Sequence, residues 1–486
     1  MSYISRKGNK NTPYKTNHSP LLGRGVRGEA ANNSPLLGRG GGGEAGEAGS
    51  CVSCEAVSIL SLALPAIVSN ITVPLLGLVD VSIVGHLGAA AYIGAIAVGG
   101  MMFNVIYWVF GFLRMGTSGM TAQAFGRGDS DETMRLLVRS LGIAFAVALA
   151  LILLQVPVCR TALRLMSPST DVAGYAATYF YICIWGAPAM LGMFSLSGWF
   201  IGMQNSRVPM VVAISQNVIN IACSLLFVFV LGMKVEGVAL GTLMAQYSGF
   251  IIALCFALRD ERLRRELPLL LSTSWNRDAM RRFFTVNRDI FFRTVCLVSV
   301  MFFFTSAGSW QGEVVLAVNT LLMQLYMLFS YIMDGFAYAG EALSGRYYGA
   351  GDMRALRQTT KRLFIWGGAM TALFTLAYAV GGKAFLSLLT DEPQVISAAA
   401  SYFLWALLLP VAGVAAFIWD GVFIGCTATR GMLVSMFSAA VTFFIIYYVA
   451  HDSLGNHGLW LSFISFLFVR GLAQSIIAKK MSFLSF

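Results

Sequence analysis

The sequence predicts an all-α polytopic membrane protein whose twelve transmembrane helices form two pseudo-symmetric six-helix bundles, arranged as parallel repeats. Three observations predict this class: the composition, the length of the apolar segments and an internal repeat. Of the 486 residues, 57% are hydrophobic and only 12% are charged, whereas soluble chains average about 25% charged residues. This composition excludes an ordinary soluble enzyme. The apolar segments run for roughly 20 residues or more without alternating, which argues against a β-barrel.

The predicted helices begin near residue 55, where long apolar segments start to alternate with short polar or Gly/Pro breaks. Segments of about 20 apolar residues are long enough to span a bilayer. Pro65 and Pro74 each remove a backbone donor from the first helix, so we expect that helix to bend. The predicted helices are 57–83, 92–122, 136–158, 172–201, 208–232, 236–258, 286–308, 314–345, 359–381, 395–425, 431–451 and 457–480.

The two halves of the chain resemble each other at a fixed offset. Gly-Arg-Gly-Asp at 126–129 matches Gly-Ala-Gly-Asp at 349–352, and Gly-Trp-Phe-Ile-Gly at 198–202 matches Gly-Val-Phe-Ile-Gly at 421–425, both 223 residues apart. Because each half holds six helices, both halves start on the same side of the membrane and are parallel repeats. Substrate sites in such proteins typically lie between the repeats, near the bilayer midplane.

The segment before the first helix is rich in Gly, Asn, Ser and Arg and contains Ser-Pro-Leu-Leu-Gly-Arg-Gly twice. It has too few apolar residues to bury a core, so we expect it to be disordered. The predicted organisation is a cytoplasmic tail at 1–52, an amino-terminal bundle at 53–258, a cytoplasmic linker at 259–285 and a carboxy-terminal bundle at 286–486.

The distribution of Lys and Arg predicts the orientation. With a cytoplasmic amino terminus, the inner loops carry nineteen basic residues, whereas the outer loops carry only Arg160, Arg164, Lys234 and Lys383. By the positive-inside rule both termini are cytoplasmic, in a multi-pass protein of the cell (inner or plasma) membrane. The net charge of +11 then reflects loops facing anionic lipid headgroups, and no nucleic-acid partner is predicted.

Cysteine and histidine indicate neither a metal centre nor catalysis. Cys51 and Cys54 form a Cys-x-x-Cys pattern without a second pair or a nearby His, so we interpret them as juxtamembrane thiols. The four His residues are not in metal-spaced pairs with acidic residues on one helix, and no nucleophile and base motif is present. We therefore predict that the protein is not an enzyme and has no catalytic residue, metal or cofactor.

Asp80 is the most informative charged residue inside the predicted helices. It lies late in the first helix, with no Lys or Arg within one helical turn. Because an ionisable group at bilayer depth is costly, such a residue is a functional candidate by default. Burial disfavours the charged form of a carboxylate, which is the property a proton-coupled carrier needs. A structural role, capping or pairing at a helix end, is the alternative.

Further charged residues within the helices have less certain roles. Asp289 is adjacent to Arg288 and precedes Arg293 by four residues on the same helix face, which favours a structural ion pair. Asp334 and Glu341 are seven residues apart on one face of the eighth helix. They either line the substrate cavity or anchor helix packing.

Asp420 in the tenth helix occupies the position that Ser197 has in the first half. Since one repeat has a carboxylate where the other has a hydroxyl, packing of the bundle does not require the charge, and a role in the cavity is favoured.

Methionine suits adaptable binding surfaces. The residues assigned to the substrate cavity are Asp420, Asp334, Glu341 and Met193. The intramembrane charges are mostly acidic, which disfavours an anionic cargo.

Three segments together resemble the multidrug and toxic compound extrusion (MATE) family, specifically its DinF-like branch. They are Leu-Val-Asp at 78–80 followed by Val-Gly-His-Leu-Gly at 84–88, Met-Asp-Gly-Phe-Ala at 333–337, and Trp-Asp-Gly-Val-Phe-Ile-Gly at 419–425. The resemblance extends from residue 55 to about residue 480. It implies an antiporter that uses an inward gradient of protons or sodium to expel organic, often cationic, compounds.

The resemblance also implies roles for individual residues. Asp80 matches the coupling carboxylate of the first helix, and Asn220 and Thr242 match residues that surround it. Ser224 stands where the family often has a second acidic residue, so a complete sodium site is in doubt and Asp80 would act nearly alone. Asp420 matches a carboxylate that other branches use for contact with a cation or a substrate.

The sequence thus predicts a secondary active antiporter that exports organic drugs or toxins in exchange for protons by alternating access. The coupling ion is H⁺, with Na⁺ as the alternative. The same pattern of spans also fits a sodium-coupled exporter, a flippase for a lipid-linked precursor or a metabolite exporter. The expected partners are small-molecule organic substrates and the lipid bilayer, and the expected state is a monomer.

Overall fold

The computed structural model describes residues 47–85, 90–389 and 392–481. The tail repeats and residues His86, Leu87 and Gly88 of the predicted motif lie outside this part of the chain. The helices are α1 (Glu47–Gly85), α2 (Ala90–Phe110), α3 (Phe112–Gly126), α4 (Ser130–Leu153), α5 (Gln155–Met166), α6 (Thr170–Cys183), α7 (Ala187–Gly202), α8 (Arg207–Leu225), α9 (Val235–Ala257), α10 (Glu261–Thr273), α11 (Arg277–Ser309), α12 (Glu313–Ala350), α13 (Met353–Leu389), α14 (Pro393–Gly425), α15 (Thr429–Leu454) and α16 (Asn456–Lys480).

The predicted fold class is confirmed, because every predicted transmembrane helix overlaps a helix or a pair of consecutive helices. Helices α2 and α3 are separated only by Gly111, and α6 and α7 only by a 3₁₀ turn at Ile184–Gly186. Each pair therefore forms a single span. Among the described residues, eleven spans are long and apolar enough to cross a membrane. Helix α1, which contains Pro65 and Pro74, supplies the remaining predicted span.

The repeated Gly-x-Gly-Asp motif forms the same turn in both halves. Gly128 and Gly351 have φ angles of +72° and +75°, a backbone conformation that glycine adopts without steric cost. The next residue caps the following helix: Asp129 Oδ1 accepts from the Glu132 N–H at 3.0 Å, and Asp352 Oδ1 accepts from the Ala355 N–H at 2.9 Å. The repeat in the sequence is thus a repeat of helix starts.

The two bundles meet through α3 and α7 of the amino-terminal half and α11, α12 and α14 of the carboxy-terminal half. The contact is close at the end of the bundles where the α3–α4 and α12–α13 turns lie. Gly126 rests against the backbone of Arg346, and Gly349 rests against the backbone of Gln123, so a Cβ atom at either glycine would collide with main chain.

Helix α10 lies within the predicted linker and is not a detached connector. Leu263 and Leu270 are buried in a hydrophobic cluster with residues of α4 and α7. The linker is therefore helical and docked onto the amino-terminal bundle, and α11 already begins at Arg277.

Candidate functional site

The candidate coupling site lies inside the amino-terminal bundle, around Asp80 of α1. The residue is 6% exposed, and its Oδ1 atom has no hydrogen-bond partner among the described residues. A buried polar atom without a partner is costly and needs an explanation. A bound proton or cation at Asp80 would provide one.

Residues of α6, α8 and α9 supply the polar surroundings. Tyr179 is near enough to Asp80 and to Thr242 to interact with both electrostatically. Asn220 in turn donates from Nδ2 to Thr242 Oγ1 at 3.1 Å. Asp80, Tyr179, Thr242 and Asn220 therefore lie in one polar region of the amino-terminal bundle. Within the described part of the chain, Asn220 Oδ1 and the hydroxyl of Ser224 are also buried without partners.

Sequence reasoning missed Tyr179 and its neighbour Cys183, which is also within electrostatic range of Asp80. Tyr179 belongs to the repeated Ala-Thr-Tyr-Phe segment at 177–180, which corresponds to Ala-Ser-Tyr-Phe at 400–403. In the sequence this correspondence is part of the internal repeat and does not point to the coupling site. A buried tyrosine within the reach of an unpaired carboxylate can be recognised only once the helices are placed side by side.

Helix α1 is held by both bundles. Asn217 of α8 donates to the Thr72 carbonyl at 2.9 Å, and Asn70 donates to the Tyr331 carbonyl of α12 at 3.2 Å. Ile67 packs against Gly335 of α12. A change in the bend of α1 would therefore alter its contacts with both bundles.

Asp420 of the carboxy-terminal bundle has a very different environment. Its Oδ2 atom accepts hydrogen bonds from Arg293 of α11 and Arg470 of α16, and Gln474 donates to Oδ1 at 2.6 Å. All four residues are buried. Two guanidinium groups thus neutralise the negative charge of this carboxylate. It is therefore poorly suited to bind a cation. Its assignment to the substrate cavity stays a prediction.

Of the two arginines near Asp289 in the sequence, Arg293 turns towards Asp420. Asp289 pairs instead with Arg288 at 3.0 Å and accepts a hydrogen bond from Thr429. A structural ion pair at Asp289 is confirmed, with the adjacent arginine as its partner.

Glu341 forms an ion pair across the bundle interface. Arg114 of α3 donates to Glu341 Oε2 at 3.3 Å, and the guanidinium carbon of Arg114 lies 4.1 Å from the centre of the Tyr338 ring. Glu341 is fully buried. Asp334 is partly exposed and lies 3.5 Å from the hydroxyl of Ser330. Glu341 thus joins the two bundles through Arg114, and the assignment of Glu341 and Asp334 to the substrate cavity stays a prediction.

Met193 packs against the hydrophobic cluster shared by α4, α7 and α9. Its assignment to the substrate cavity also stays a prediction. Arg114, Arg293 and Arg470 also lie within the spans, where Arg114 pairs with Glu341 and the other two arginines pair with Asp420, so the spans contain more basic residues than expected from the sequence. Helix rotation brings these arginines inward, which the spacing of charges along the chain does not reveal.

Comparison with known proteins points to one protein family. The sequence profile of the MatE family matches residues 65–226 and 290–449, one segment in each bundle. The DNA damage-inducible protein F of Escherichia coli (strain K12) is 38% identical over 419 residues, which cover 86% of this chain and 91% of that protein.

Solved structures show the same fold. A crystal structure of MATE in the bent conformation superposes with a TM-score of 0.78 at 19% identity and covers 86% of this chain and 94% of that one. A transporter of the MOP superfamily from Pyrococcus furiosus, whose reversed pocket polarity suggests a different function, has the same TM-score, identity and coverage.

Proposed function

Because this chain belongs to the MatE family of membrane transporters, we propose that it is an antiporter that exports small organic compounds, often cations, in exchange for protons. The observation that carries the proposal is Asp80, a buried carboxylate with one oxygen that has no partner among the described residues, on the helix that both bundles hold. Deep in a membrane, such a group is a candidate for reversible protonation.

In the proposed cycle, a proton that enters from outside neutralises Asp80, and the bend of α1 changes at Pro65 and Pro74. Because Asn70 and Thr72 link α1 to opposite bundles, the change alters how the bundles rock and releases the substrate. Loss of the proton towards the cytoplasm resets the carrier. In parallel-repeat transporters, alternating access is largely such rocking of one bundle against the other.

We propose H⁺ rather than Na⁺ as the coupling ion. Sodium binding requires several oxygen ligands, and a second acidic residue is absent at Ser224. The proposal further places the protein in the cell (inner or plasma) membrane as a monomer. Both termini are cytoplasmic, as the Lys and Arg bias predicts.

The test is export of a panel of fluorescent organic cations from proteoliposomes in which the pH gradient and the sodium gradient are imposed separately. We expect export driven by the pH gradient in the natural protein and only background export for Asp80→Asn. Asp171→Asn, which removes an exposed carboxylate at the start of α6, is the matched control and should retain export. Normal export by Asp80→Asn would refute the mechanism.

A second candidate is export of an anionic metabolite or flipping of a lipid-linked precursor. Arg293 and Arg470 are buried and share the single carboxylate of Asp420, and this local excess of positive charge favours an anionic cargo. An assay with labelled organic anions in the same vesicles distinguishes the two candidates. Transport of anions with no transport of cations would establish the second.

A further inference from the structure

We propose that α10 and the following Trp275 form an interfacial anchor that binds the headgroups of anionic phospholipids. The interfacial anchor is defined as residues 261–275. It lies between the ends of α9 and α11, both of which are membrane spans. Its position is therefore at the edge of the bilayer, on the side that the basic residues assign to the cytoplasm.

Large apolar side chains in the second half of the interfacial anchor are exposed. Leu269, Leu271 and Trp275 are 61%, 54% and 46% exposed, respectively. They differ from Leu263 and Leu270, which are buried against the amino-terminal bundle. Exposed Leu and Trp beside membrane spans are typical of a helix that lies in the interface plane, with Trp at headgroup level.

The first half of the interfacial anchor is basic. Arg262 and Arg264 are exposed, and two of the nearby acidic residues, Asp260 and Glu261, have partners of their own. Asp260 caps α10 by accepting from the Arg262 N–H at 2.9 Å, and Glu261 pairs with Arg265 at 3.1 Å. Basic residues next to apolar interfacial side chains complement anionic headgroups. Residues 259–282 contain seven arginines and four acidic residues.

The interfacial anchor is fixed to the amino-terminal bundle. Arg139 of α4 donates from Nε to the Ser274 carbonyl at 2.5 Å, and the Trp275 ring rests on Gly142 of the same helix. Asn276 already caps α11 by accepting from the Asp278 N–H at 3.1 Å. Lipid bound at α10 is thus held on the amino-terminal bundle, while the carboxy-terminal bundle begins immediately after Trp275.

The test measures quenching of Trp275 in full-length protein reconstituted with lipids brominated on their acyl chains. Subtracting the fluorescence of Trp275→Phe isolates this residue from the other eight tryptophans. Brominated phosphatidylglycerol and brominated phosphatidylcholine are compared at the same mole fraction. We expect several-fold stronger quenching by phosphatidylglycerol, because basic residues near the surface concentrate anionic lipid.

Two variants decide the role of the arginines. Replacing Arg262, Arg264 and Arg265 together by Gln should abolish the preference for phosphatidylglycerol. The matched control, replacement of the exposed residues Arg127, Arg207 and Arg430 by Gln, removes the same charge elsewhere and should preserve it. Equal quenching by the two lipids, or an unchanged preference in the α10 variant, would overturn the proposal. The measurement requires no transport, so its outcome is independent of the proposed function.

Discussion

The interiors of the two bundles contain carboxylates with the same burial and opposite surroundings. Asp80 and Asp420 are each 6% exposed. Asp80 has an oxygen without a partner among the described residues, whereas Asp420 accepts hydrogen bonds from Arg293, Arg470 and Gln474. The two repeats therefore share a fold but differ in the electrostatic surroundings of their buried carboxylates. An unpaired carboxylate can change its protonation state at little structural cost, whereas a carboxylate held by two arginines contributes to packing.

The largest expected effect concerns stability. Asp420→Ala leaves Arg293 and Arg470 buried without their shared partner, and breaking a buried ion pair in this way costs about 3–5 kcal/mol. Asp80→Ala removes a group that has no such pair, so we expect a loss below about 1 kcal/mol. Thermal unfolding of the detergent-solubilised variants measures both. Equal losses of stability would contradict the contrast between the bundles.

A smaller effect is expected at the interface between the bundles. Glu341→Gln weakens the ion pair with Arg114, and loss of about 1.4 kcal/mol would raise the population of the separated state about tenfold. Cys426, buried at the end of α14, reports on this separation through its rate of alkylation, followed by peptide mass spectrometry. Glu313→Gln, remote in sequence at the start of α12, is the control. An unchanged rate in Glu341→Gln would show that the ion pair does not hold the interface.

The smallest expected effect tests where the two halves are alike. Asp129→Ala and Asp352→Ala each remove a helix cap at equivalent turns, and loss of such a cap typically costs about 1 kcal/mol. Both variants should lower the unfolding temperature by similar amounts and leave transport intact. Markedly different losses would show that the repeat is not energetically equivalent at this turn.

The helices and their order could be predicted from the sequence, because membrane spans depend on local hydrophobicity and length. The Gly-x-Gly-Asp matches were visible as part of the repeat, whereas the positive φ and the helix cap at each turn were found only in the structure. The position of Asp80 on the first helix followed from the same local information.

Pairing between distant helices could not be predicted in this way. The four-residue spacing pointed from Asp289 to Arg293, yet the rotation of α11 turns Arg293 towards α14. Tyr179 and Arg114 likewise acquire their partners only through the packing of α6 and α3 against other helices. The linker was predicted from its charge, whereas its docking through Leu263 depends on the surface that the amino-terminal bundle presents.

The most direct test of the central claim, that Asp80 exchanges a proton for substrate, is the number of protons released when an exported compound binds to purified protein in weakly buffered detergent solution. We expect about one proton per bound substrate in the natural protein and in the control Asp171→Asn, and none in Asp80→Asn at saturating substrate. Undiminished proton release by Asp80→Asn would contradict the account.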